Sequence, residues 1–169
     1  QRMHASEHLV DNSAKILQGP ALLLTSSQEL MDRDIERMTC LGNSEKRSDF
    51  SKCGRFGLGI NCFYRVTDTI QLLANGHLHI FDPTQKAVAK KPKRGRKFKC
   101  TELEKNFPDM LVPFADFAEY PTVFRLPLRT DASPEIDQKS YSVHDVTEMM
   151  NSLIRKAETL LVFSKFVSR

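Results

Sequence analysis

At 169 residues, 40% hydrophobic and 27% charged, the chain has the make-up of one globular domain or one piece of a longer protein. No apolar run approaches the ~20 residues of a membrane span, and nothing at the N-terminus reads as a signal peptide, so no membrane partner is expected. The net charge of +4 is local: residues 90–99, KKPKRGRKFK, hold seven of the 25 basic residues, and the other 18 face 21 acidic ones, which is not a general nucleic-acid footprint.

The start at Gln1 suggests a fragment, and residues 1–16 read as a flexible lead-in before the turn LQGP. Ala21 to Thr25, ALLLT, is a short apolar run of buried-strand type. SSQELMDRDIERMTCLG then reads as a helix capped by Ser26 with Glu29, with Met31, Ile35, Met38 and Leu41 on one face and Gly42 as its stop. Residues 43–53 are polar and loop-like.

Gly54, Gly57 and Gly59 follow in KCGRFGLGINCFYRVTD, residues 52–68, just before an apolar-aromatic run. Glycines free the backbone of Cβ atoms, and a helix N-terminus offers unpaired N–H groups, so the segment is either a phosphate cradle or a tight packing loop. Lys52 and Arg55 would add positive charge. The bare spacing G-x-x-G-x-G does not decide between the two, because neither the dinucleotide fingerprint nor the P-loop pattern is present.

A strand is predicted from Thr69 to Leu73. Asn75-Gly76 signals a hairpin leading into HLHIF, which Asp82-Pro83 ends. Residues 84–108 read as a long basic connection with little apolar content. TVFRLPLR, residues 122–129, alternates as a half-buried strand, with Pro127 pushing it toward a sheet edge or a bulge. The last helix starts near Val143 behind Ser142 and Asp145, with Val143, Val146, Met150, Leu153 and Ala157 as its core face. The order is that of an α/β or α+β domain with a mixed sheet and helices on one side. Cys40, Cys53, Cys62 and Cys100 form no CxxC pair; free thiols are the expectation, and a metal on Cys62, His77 and His79 is the minor alternative.

The blocks LQGPALLL (17–24), IERMTCLGNSEKRSDFSKCGRFGLGINCFYRVTDT (35–69), HIFDP (79–83), NFPDMLVPF (106–114) and YPTVFRLPLRTDAS (120–133) together resemble the sacsin repeat domain. That family belongs to the GHKL, or Bergerat-fold, ATPase superfamily, with the ninety-kilodalton heat-shock chaperone. The resemblance implies a two-layer α/β sandwich that holds ATP with Mg²⁺. It assigns the phosphates to the backbone of Gly54, Arg55, Phe56, Gly57, Leu58 and Gly59. It sets the Thr122 hydroxyl near the adenine, with Pro121 where the superfamily has glycine. Residues 84–108 fall where the family carries a lid-like segment.

Two pieces of the superfamily's site are missing. Its first βα unit, with a Glu that activates water and an Asn that holds Mg²⁺, has no clear counterpart. Glu7 and Asn12 stand five positions apart rather than four, and too little chain separates Asn12 from the first strand. The adenine-reading Asp falls among Thr25, Ser26 and Ser27, so a serine would have to substitute. The resemblance therefore implies a chaperone-type ATP-binding domain of a larger cytoplasmic sacsin-like protein, acting in protein folding or quality control. As it stands the chain would not be a competent ATPase. Its partners would be other domains of that protein, chaperone machinery or clients, and not nucleic acid. The alternative is a non-catalytic interaction or scaffold module with a degenerate nucleotide site.

Overall fold

A computed structural model describes residues 7–38, 59–88, 90, 92–157 and 159. Five strands, β1 (Ala21–Ser26), β2 (Ile70–Ala74), β3 (His77–Phe81), β4 (Gly95–Lys99) and β5 (Thr122–Pro127), form one open sheet in the order β1-β5-β2-β3-β4. Every neighbouring pair is antiparallel, so the α/β architecture stands while the expected mixed sheet is antiparallel throughout. The β2–β3 turn is the Asn75-Gly76 hairpin, with φ of 52° and 67°, which the short polar Asn and Cβ-free Gly tolerate.

Side chains alternate across a strand, and the two faces have separate cores. Leu78, Ile80 and Val123 face one way, against Leu17, Leu103, Met110 and Phe114. These come from the 3-10 helix Asn12–Gln18, from α2 (Cys100–Asn106), and from the 3-10 helices Pro108–Met110 and Val112–Phe117. Leu72, Ala74, Ile70 and Leu126 face the other way, against Ile35 of α1 (Asp32–Arg37), the 3-10 helix Ile60–Arg65 and Tyr141. Helical elements thus cover both faces of the sheet rather than one.

Five local expectations are revised. The lead-in packs into the core from Leu9 onward, because the Asp109 carboxylate accepts from the backbone of Glu7 and His8 (2.9 and 2.8 Å). Helix α1 begins at Asp32 instead of Ser26, since Ser26 is the last residue of β1 and pairs with Thr122. Residues 84–108 contain β4 and α2, and the turn entering them is built on Asp82. Its buried carboxylate accepts from the backbone of Lys86, Ala87 and Val88 (3.1, 2.9 and 2.9 Å).

The fourth revision concerns β5, which is an interior strand. Its alternate residues bond to β1, as Leu128 N–H does to Pro20, so the missing N–H of Pro127 points toward β2. The β2 ladder has already ended at Gln71↔Arg125, and no partner is lost. The last helix, α3 (Val143–Arg155), has the expected capping box of Ser142 and Asp145. Its expected core face is largely in solvent, however: Val143, Met150 and Leu153 are exposed, while Val146 packs on the domain and Ala157 is half-buried.

Candidate functional site

Gly59 is the described end of the glycine segment; Lys52, Gly54, Arg55, Phe56, Gly57 and Leu58 lie outside the described residues. Gly59 caps the 3-10 helix Ile60–Arg65 with helical dihedrals (φ −57°, ψ −47°), which any residue adopts. A Cβ built there would meet nothing within 4 Å. Neither backbone strain nor packing among the described residues therefore calls for glycine at this position.

The helix that Gly59 opens is seated by its aromatic side chains. Phe63 meets Phe124 of β5 edge-to-face, with ring centroids 5.6 Å apart. Burial, with the Asp82 charge as a smaller cause, pushes the Tyr64 phenol up to about 12. The helix C-terminus is closed by Arg129, which is 4% exposed. Its guanidinium donates to the carbonyls of Tyr64, Arg65, Thr67 and Lys139 (2.5, 3.0, 3.0 and 3.1 Å), and Nε donates to Asp68 Oδ1 at 2.5 Å. A planar five-donor fork suits this set of acceptors, whereas an ammonium has only three donors.

Arg125 does a parallel job on the opposite face. It is 1% exposed, and among the described residues no carboxylate pairs with it. It donates to the Leu17 carbonyl, to Gln71 Oε1 at 2.8 Å and to the Gly19 carbonyl at 2.6 Å. The carbonyl end of the 3-10 helix Asn12–Gln18 is therefore what balances the buried cation. Burial lowers its pKa to about 10, so it stays charged at neutral pH.

The structure brings Ser26 and Thr122 together as cross-strand partners. Both hydroxyls are tied to one residue: Thr122 Oγ1 donates to the Gln28 carbonyl at 2.8 Å, and Ser26 Oγ accepts from Gln28 N–H at 3.1 Å. Thr122 is 1% exposed. These bonds fold the β1 exit back over the start of β5. Glu7 and Asn12 are both exposed, and Asn12 begins a 3-10 helix capped by Asp11, so the two do not share one α-helix.

A groove of about 470 Å³ that sequence reasoning missed runs between α1 and the β3–β4 edge. Ile35, Phe81, His79 and Lys97 line it together with the carboxylates Asp32 and Glu36 of α1. His79 is 8% exposed, and its Nε2 is buried without a hydrogen-bond partner among the described residues. Burial, then the charges of Lys97 and His77, lowers its pKa to about 4. The signal for it was present: His79 and Lys97 occupy alternating positions that fall on one face. Its companion His77 is held by its own turn, Nδ1 lying 2.7 Å from the Asn75 carbonyl. Among the described residues no three His, Cys, Asp or Glu side chains are grouped to hold a metal. Neither Cys62 nor Cys100 is in a disulfide, and Cys40 and Cys53 lie outside the described residues.

An open antiparallel sheet, a glycine-opened helix laid on it and two buried arginines closing helix ends define the class: an α/β domain of the sandwich type. The sacsin domain profile matches residues 1–169, and the chain belongs to that family. Sacsin of Homo sapiens is 28% identical over 190 residues, an overlap that takes in 99% of this chain and 4% of sacsin. The chain thus spans a small fraction of the length of the relative it matches.

Proposed function

We propose that this domain is an ATP-binding, non-hydrolysing unit of a larger cytoplasmic sacsin-like protein that acts in protein folding or quality control. Its partners are other domains of that protein, chaperone machinery or client proteins. The observation that carries the reading is Gly59. It is bare of Cβ, open on its outer side, and placed where a helix held at its far end by Arg129 begins. On this reading the backbone of Gly54 to Gly59, with Lys52 and Arg55, would hold the phosphates. The ligand proposed is ATP with Mg²⁺. The adenine end fits less well, because Ser26 and Thr122 are both committed to Gln28.

The second reading, a scaffold module with a degenerate nucleotide site, is favoured by α3. Val143, Met150, Leu153 and Ile154 stand exposed on a well-capped helix, as a partner-binding face would. Isothermal titration of the whole chain with ATP and Mg²⁺ separates the two. Binding tighter than about 1 mM that is lost in a Gly57→Ala/Gly59→Ala double variant, without phosphate release, supports the nucleotide reading. The absence of binding leaves the scaffold.

A further inference from the structure

Strand β4 ends the sheet, and among the described residues no strand pairs with its outer side. Its ladder to β3 fixes which backbone groups are free. Asp82 N–H bonds the Arg94 carbonyl and Cys100 N–H bonds the Gly76 carbonyl, so residues 94, 96, 98 and 100 turn toward β3. The N–H and C=O groups of Gly95, Lys97 and Lys99 point outward. Arg94, Arg96, Lys97 and Lys99 are exposed along the same edge. A cationic edge repels a second copy of itself, and one function of edge lysines is that protection. Protection alone does not account for the groove beneath this edge, nor for His79 in its lining, whose buried Nε2 has no partner among the described residues. Glycine at position 95 is required by β3 itself, since a Cβ there would lie 2.5 Å from the Ile80 carbonyl oxygen.

We propose that the β4 edge is a docking site for an extended acidic peptide segment, which adds to the sheet as a sixth strand on the outward groups of Gly95, Lys97 and Lys99. Every second side chain of the incoming strand falls on the groove face, where carboxylates answer Lys97 and Arg94 of the sheet edge, against the opposing charge of Asp32 and Glu36 on the α1 side. Nucleic acid suits the surface less well. The one aromatic of the strand, Phe98, is half-buried on the core with the Arg96 guanidinium over its ring at 4.6 Å, and is not free to stack on bases.

The test uses the whole chain and a fluorescein-labelled peptide of ~10 residues alternating Glu and Val, with a Lys–Val peptide and single-stranded oligothymidylate as the other arms. Binding of the Glu–Val peptide alone is expected, weakening as salt rises and falling at least about tenfold in Lys97→Glu/Lys99→Glu. Hydrogen exchange should slow at the amides of Gly95, Lys97 and Lys99 and not at Arg96 and Phe98. Because Lys97→Pro removes an outward N–H and the ammonium but no bond to β3, it should abolish peptide binding while circular dichroism stays native; if that variant fails to fold, the exchange pattern of the unaltered chain decides. The proposal is overturned if the Glu–Val peptide does not bind, binds without protecting those three amides, or is displaced by a tighter-binding oligothymidylate.

Discussion

Arg125 and Arg129, four positions apart around the end of one strand, close the carbonyl ends of two 3-10 helices on opposite faces of the sheet. The line FRLPLR is therefore a double fastener. One arginine holds the N-terminal segment against the sheet, and the other holds the helix that leaves the glycine segment.

Each fastener has its own expected cost. Arg129→Met leaves Asp68 and four carbonyls without their donor and should destabilise the fold by about 3 kcal/mol or more. Arg129→Lys should recover only part of that, since an ammonium cannot reach all five acceptors. Arg125→Met should cost about 2–4 kcal/mol, because three buried acceptors lose their donor. The two fasteners share no partner, so the double variant should lose the sum to within about 0.5 kcal/mol in urea unfolding. A large coupling would show that the faces are not held independently.

Thr122 gives a contrast between a structural hydroxyl and a ligand-reading one. Thr122→Val keeps the shape and removes the bond to Gln28, at an expected cost of about 1–2 kcal/mol and a melting temperature lower by a few degrees. Thr122→Ser should restore most of it. ATP affinity should change far less than stability does. A stable Thr122→Val chain with ATP binding weakened more than about tenfold would place the hydroxyl on the nucleotide instead.

His79 should make the fold acid-sensitive in a defined window. Its folded pKa, near 4, lies below the ordinary value of 6.5. As pH falls from 6.5 toward 4 the unfolded chain takes up the proton first, and stability is lost; above 6.5 the contribution is fully present. The charged and titratable groups around it are Lys97, His77 and Asp32, and Glu36 of α1 lines the same groove. Partial solvent access through the groove limits the loss to about 1–2 kcal/mol. Urea midpoints measured across this range should slope in the unaltered chain and flatten in His79→Gln.

Much of the sheet was legible from local chemistry. ALLLT is apolar and short, Asn75-Gly76 admits only a narrow set of turns, and Ser142 with Asp145 writes its capping box in sequence. Strand β4 was not legible, because on an edge the exposed Lys and Arg side chains hide the period that burial would reveal. Helix α1 was placed too early because Ser26 satisfies a capping pattern and a strand end equally well, and its cross-strand partner Thr122 is 96 positions away. The apolar stripe of α3 was read as core, yet a helical period records amphipathicity and not what covers it. The two buried arginines were seen only as the polar half of an alternation; their acceptors are carbonyls, which carry no sequence signature. Of the residues assigned to the nucleotide, Ser26 and Thr122 do lie together and Gly59 opens a helix, while the rest of the set lies outside the described residues.

The central claim is that a nucleotide sits where Gly59 opens its helix, on a platform that Arg129 keeps in place. Amide hydrogen exchange of the whole chain, with and without ATP and Mg²⁺, tests it most directly. Slower exchange at residues 59–66 on adding nucleotide, in the unaltered chain and not in Gly59→Val, is the predicted result. Exchange at 59–66 that is the same with and without ATP would contradict it.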